Sequence, residues 1–195
     1  MIRIVTDSAA DLTAAELSVP GIFVVPLSVT FADGTTQLDD GTMTKDEFFV
    51  RLAEDSKLPC TSQPSPASFI QVYEDAEAAG DEVLVITIGQ KLSGTYQCAH
   101  LAAADVGLQA YIVDSEAASQ AEALLVREAV RLRDEEGLTA EEIAAVLEQF
   151  KKRVRIVAVV DSLKHLQKGG RLPAAVALVG GALGIKPVLA LQDGA

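Results

Sequence analysis

Tryptophan is absent, cysteine occurs only as Cys60 and Cys98, and aromatic residues make up 5% of the chain. A core must therefore be built from Ala, Val, Leu and Ile. With 49% hydrophobic content over 195 residues, there is enough for one large domain or one and a half ordinary ones. The two cysteines show no CxxC spacing, and Met1-Ile2-Arg3-Ile4 carries no secretory pattern, so they read as reduced thiols of a cytoplasmic protein. Cys60 lies beside a candidate site loop, where both a reactive thiol and a passive small side chain are open readings. Positive charge is scarce: 16 Lys and Arg stand against 28 Asp and Glu, for a net charge of −12. That balance excludes nucleic acid, whose affinity depends on neutralising phosphates, and is the balance of a solvated surface. No apolar run is long enough to span a membrane. The longest, Ala174 to Ile185, is broken by glycines and followed by Lys186-Pro187.

What is present is a strand-to-turn device used repeatedly. The β-branched run Val83 to Ile88 gives way to Lys91-Leu92-Ser93-Gly94-Thr95-Tyr96, which reads as a buried strand, a turn and a helix start. Ligands in open α/β sheets sit at strand ends, and helix N-termini receive anions. Ser93 and Thr95 place two neutral hydroxyls there. Thr6-Asp7-Ser8 and Thr61-Ser62-Gln63-Pro64-Ser65-Pro66 repeat the device, which suggests a polar pocket for a small anionic head group.

The periodicities organise the rest. Ile2 to Val5 and Ile22 to Phe31 read as strands, with Ala32-Asp33-Gly34 as a turn. Capping boxes at Thr13, Thr44 and Thr139 open helices, and Ser65-Pro66 opens another that runs through Ala79. Strands at Val83 to Ile88 and Tyr111 to Val113 alternate with helices near Gly94 to Ala104 and from Asp114-Ser115 to Gly137. Such alternation gives a parallel sheet covered on both faces. A second region begins with the apolar strand Arg155 to Val160, and Gly169-Gly170-Arg171 ends the short helix after it. The final Asp193-Gly194 announces a hairpin whose partner has not arrived, so the last strand is expected to lack its neighbour. The expected fold is α/β: a three-layer parallel sheet with helices on both faces over residues 1–154. The beginning of a second α/β domain over 155–195 is read as truncated.

Taken together these motifs resemble the DegV family. Thr6-Asp7-Ser8-Ala9-Ala10-Asp11-Leu12 is similar to its N-terminal signature. Thr61 to Pro66, Leu92-Ser93-Gly94-Thr95-Tyr96-Gln97, Val113-Asp114-Ser115, Leu166 to Leu172 and Gly184 to Leu189 follow in the same order. The resemblance covers the whole chain. It implies a bacterial two-domain protein of the cytoplasm that holds a long-chain fatty acid, such as palmitate, stearate or oleate, between its domains. FakB-like members present that fatty acid to a separate FakA-like kinase, which phosphorylates the carboxylate with ATP. The lack of a Walker-type loop or kinase signature set fits a carrier that borrows a kinase and is not itself an enzyme. No cofactor and no metal are implied; transient contact with a membrane is compatible with the role.

In that reading Thr61, Ser62, Ser93 and Thr95 bind the fatty-acid carboxylate, each as a neutral donor that suits both a carboxylate and an acyl phosphate. Asp7, Ser8, Asp114, Ser115 and Arg171 stand behind them or contact the partner. Arg171 is either an added cation or a residue that orients the second region. Ser93 can equally be a plain helix cap, and Ser65 can be the true cap behind Thr61 and Ser62. Burying a palmitate-length tail contributes on the order of 10 kcal/mol gross, at ~0.8 kcal/mol per methylene. A buried carboxylate without partners is correspondingly costly.

Two departures stand out. Where the family pattern has Ser-x-Gly-x-Gly, this chain has Ser119-Gln120-Ala121-Glu122-Ala123, whose extra methyls bear on acyl-chain preference. The family's carboxylate-proximal histidine belongs to a later segment, and neither His100 nor His165 sits in a matching motif. The pair Lys151-Lys152, with Lys164, forms a candidate partner face. Two rivals remain: a stand-alone acyl hydrolase or transferase with Ser93 as nucleophile, and a phosphate- or nucleotide-binding regulator. The first needs a base beside Ser93 and lacks a Gly-x-Ser-x-Gly elbow.

Overall fold

The computed structural model describes residues 1–55, 57–172, 186–191 and 194. Its centre is a four-stranded parallel sheet built from β1 (Ile2–Asp7), β2 (Ile22–Val25), β6 (Glu82–Thr87) and β7 (Ala110–Asp114), in the order β2-β1-β6-β7. Alternation along β6 explains how it is covered. Val83 and Val85 point to one face, Leu84 and Ile86 to the other, and all four are fully buried.

On the Val83 face lie α3 (Pro66–Ala79) and α4 (Thr95–Val106), which contribute Phe69, Tyr73, Cys98 and Ala99 to one core. On the Leu84 face lie α5 (Gln120–Arg131) and α6 (Ala140–Phe150), which contribute Leu125, Val126, Ile143 and Leu147 to the other. The expected three-layer arrangement is therefore present. The short α1 (Ala14–Leu17) leads from β1 to β2.

One expected strand divides. The run from Ile22 to Phe31 is β2 followed by β3 (Ser28–Thr30), and the two belong to different sheets. The break falls at Pro26, which has no N–H to give to a ladder. The next amide, Leu27 N, donates to Ser8 Oγ at 3.1 Å instead. Beyond it, β3 is the centre of a small antiparallel sheet with β4 (Thr36–Leu38) and β5 (Cys60–Ser62), neither of which the sequence pattern suggests. Thr61 pairs with Val29 and Ser62 with Ser28. Between β4 and β5, α2 (Lys45–Glu54) lays Phe48 against Phe31, and Arg51 stacks on the same Phe31 ring at 3.6 Å.

Further along, β8 (Ile156–Val159) and β9 (Val188–Leu191) pair antiparallel as a sheet of their own, with α7 (Lys164–Lys168) following β8. The last strand thus has a neighbour, contrary to expectation, because β8 returns to it. Val157, Val159 and Val188 are exposed on this pair. The Ala174 to Ile185 stretch lies outside the described residues.

Candidate functional site

The C-terminal ends of β1, β6 and β7 meet at a cluster of turns. Asp7 is fully buried at the end of β1. Its two carboxylate oxygens accept from Ala9 N at 3.0 Å and from Ile88 N at 2.8 Å, so one side chain both caps the turn after β1 and ties down the chain leaving β6. Burial raises its pKa to about 6, with these two amides opposing the rise and Asp39 adding to it. Ser8, through Leu27, binds the same turn to the chain crossing between the sheets.

The turn after β6 carries the hydroxyls. Ser93 Oγ and Thr95 Oγ1 are 2.8 Å apart, and Thr95 is fully buried as the first residue of α4. Gly94 occupies the capping position of α4, and among the described residues no side chain caps that helix. Ser93 is therefore not a helix cap. By contrast, Thr13, Thr44 and Thr139 each close the reciprocal capping box that their spacing implies, and Ser65 caps α3 through Ser68 N. The start of α4 keeps its N-terminal dipole turned toward two hydroxyls, an arrangement that accepts an anion.

The turn after β5 packs directly on this one. The Gln63 side-chain oxygen lies against Gly94, in the space a side chain there would need. Behind it, Cys98 Sγ donates to Pro64 O at 3.4 Å. The structure thus brings the Thr61-Ser62 segment and the Ser93-Thr95 turn to neighbouring positions, with Thr61 and Ser62 exposed. Thr61 also lines a cavity of about 690 Å³ with Phe48, Leu52, Cys60, His165 and Arg171, among others. The cavity combines an apolar wall from α2 with a cationic rim from α7. Sequence reasoning gave His165 and the α2 residues no place near Thr61, because residues this far apart along the chain converge only in the fold.

The remaining candidates hold backbone. Asp114 Oδ1 accepts from Gln90 N at 3.1 Å and from Glu116 N at 2.9 Å, while Ser115 Oγ and Ala117 close a tight local turn. Arg171 Nε donates to Leu92 O at 3.2 Å, beside Ser93, so of its two open readings this contact favours orientation of the segment. Lys151 does not belong to an exposed basic pair. Its side chain is only 7% exposed and is held by Glu116 and Glu148, whereas Lys152 is exposed.

One buried acid was not foreseen. Glu122 is fully buried on α5, where Thr6 Oγ1 donates to its Oε1 at 3.1 Å and its Oε2 has no partner among the described residues. Burial first, and the Asp7 charge second, push its pKa well above the usual carboxylate range. Ala121 and Ala123, which flank it where the family pattern has glycines, are buried too. Among the described residues no cluster of His, Cys, Asp and Glu can hold a metal, and no helix is long and apolar enough to cross a membrane.

Known proteins share this fold. The family model described as "Uncharacterised protein, DegV family" matches residues 1–195. A DegV domain-containing protein of Caldanaerobacter subterraneus subsp. tengcongensis is 38% identical over 99% of this chain and 68% of its own length. A fatty-acid-binding DegV family protein of Thermus thermophilus superposes with a TM-score of 0.88 at 40% identity, over 99% of this chain and 68% of that one. A stearic-acid-binding protein of Eubacterium ventriosum superposes with a TM-score of 0.90 at 35% identity, over 100% of this chain and 68% of that one.

Proposed function

Given that the chain belongs to the DegV family, we propose that it binds a long-chain fatty acid and presents its carboxylate to a separate FakA-like, ATP-dependent kinase. Ser93 and Thr95 at the uncapped start of α4 carry this reading. Their hydroxyls, joined by Thr61 and Ser62, hold the carboxylate as neutral donors, and Asp7, Ser8, Asp114 and Ser115 fix the turns on which they stand. Arg171 secures the Leu92 carbonyl beside them. The ligand is a fatty acid of the palmitate, stearate or oleate class, and the place of action is the cytoplasm. The bound fatty acids of the two solved relatives support the ligand class.

The chemistry of Ser93 also favours a carrier over an acyl-transferring enzyme. Its hydroxyl is paired with Thr95, a second hydroxyl that is no base at neutral pH. The test is denaturing mass spectrometry of lipid extracted from gently purified protein, followed by incubation with a FakA-like kinase and ATP. A stoichiometric long-chain fatty acid that becomes an acyl phosphate in the kinase reaction is the expected result. Protein that stays empty after exposure to oleate and palmitate overturns the reading.

A further inference from the structure

We infer that Lys151 is a positioning residue for the Ser93 turn, acting from the far end of α6 through a continuous chain of backbone contacts. The inference rests on the fatty-acid reading of that turn, although the contacts themselves do not. Lys151 Nζ donates to Asp114 O at 3.0 Å and pairs with Glu116 Oε1 at 3.1 Å and Glu148 Oε2 at 2.8 Å. One buried ammonium therefore grips three elements: the end of β7, the turn after it, and α6. Burial works against its charge, but the pairs with Glu148 and Glu116 outweigh that and hold its pKa above the ordinary lysine value.

The gripped turn is one that would not hold its shape alone. Glu116 has a positive φ of 53°, in the left-handed region that costs a residue with a side chain. The same turn presents its backbone to the chain leaving β6. Ala117 O accepts from Gly89 N at 2.8 Å, Asp114 Oδ1 accepts from Gln90 N at 3.1 Å, and Thr87 O accepts from Ser115 N at 3.2 Å. The approach is close enough that a β-carbon on Gly89 would come within 3.3 Å of the Glu116 and Ala117 backbone. Gly89 O in turn accepts from Leu92 N at 2.8 Å and Ser93 N at 3.1 Å. Ser93 is thus placed by Gly89, Gly89 by the Glu116 turn, and the Glu116 turn by Lys151.

Comparison of Lys151→Met with Arg3→Met tests this. Arg3 makes a similar half-buried ion pair, with Asp81 at 2.8 Å, at the opposite end of the sheet. Amide hydrogen exchange, corrected for the global stability of each variant, is expected to quicken roughly tenfold at Leu92 and Ser93 in Lys151→Met, and to stay unchanged there in Arg3→Met. Oleate binding is expected to weaken about tenfold in Lys151→Met alone. Unchanged exchange at Leu92 and Ser93, or equal acceleration in both variants, overturns the role. If the wild type takes up no fatty acid, the proposed function fails while the exchange comparison still decides the role of Lys151. If Lys151→Met does not fold, Lys151→Gln, which can still donate a hydrogen bond, carries the same comparison.

Discussion

The side-chain oxygen of Gln63 occupies the space that a β-carbon on Gly94 would need, so the turn after β5 and the turn before α4 interlock at a missing side chain. The backbone at Gly94 is unremarkable, with φ −75° and ψ 6°, so the position is empty for reasons of contact and not of conformation. Gly94→Ala is therefore expected to fold with little change in melting temperature, because exposed Gln63 can swing aside. It is expected to loosen the Thr61-Ser62 segment from the Ser93 turn. Co-purified fatty acid should fall while the thermal melt stays put; a large drop in the melt with lipid retained would contradict the interlock.

Ser93→Ala separates ligand contact from helix capping. Among the described residues Ser93 makes no side-chain bond to the backbone of α4, but its loss leaves the buried Thr95 hydroxyl without its partner, so a modest loss of stability, on the order of 1 kcal/mol, is expected. Removal of one donor to a carboxylate should cost binding about 1.5 kcal/mol, roughly tenfold in Kd. Isothermal titration with oleate, beside a thermal melt, measures both. A melt that drops with affinity intact would restore the capping role.

The two buried acids give stability a definite pH dependence. An acid whose pKa is higher in the folded state than in the unfolded chain contributes stability fully below its unfolded value, near ~4. That contribution is lost as pH rises through the folded value, about 6 for Asp7. Glu122, whose pKa is also raised, chiefly by burial, acts in the same direction. Glu16 runs the other way. Its pKa is lowered to about 2, chiefly by Arg127, so its contribution is lost only as pH falls through that value. The protein should therefore melt higher at mildly acidic than at mildly alkaline pH. Glu122→Gln, which keeps the acceptor for Thr6, should raise the alkaline melt and flatten the profile. An unchanged profile in that variant would show that Glu122 carries no part of it.

Thiol chemistry should distinguish the two cysteines. Cys60 is exposed on β5, whereas Cys98 is buried, donates to Pro64 O, and has its pKa raised by burial. A thiol-reactive dye is expected to label Cys60 in the native protein and Cys98 only after denaturation. Native labelling of Cys98 would mean that the turn after β5 opens readily.

Features fixed by neighbouring residues could be read from the sequence. The capping boxes at Thr13, Thr44 and Thr139 depend on a spacing of three residues and stand as the spacing implies. The continuous apolar, β-branched run of β6 read as a buried strand, and the turns holding Ser93 and Asp7 follow the ends of β6 and β1. Features created by contacts across the fold could not be read in this way. Pro26 sits in a run of apolar residues that looks continuous, and only the donation of Leu27 N to Ser8 shows where the chain changes sheet. Strands β4 and β5 are three residues each, too short to show a period. Glu122 lies on a helix with other acids and reads as part of a wet face, yet it is fully buried. Lys151 beside Lys152 reads as surface charge until Glu116 and Glu148 are seen to enclose it.

The change of sheet at Pro26 has a mechanical corollary. Thr61 and Ser62 ride on the antiparallel sheet, and Ser93 and Thr95 on the turn and helix that follow a strand of the parallel one, so the two pairs of hydroxyls belong to opposite sides of a seam. A ligand held by all four would be a further rivet through that seam, added to the Gln63–Gly94 contact that already closes it.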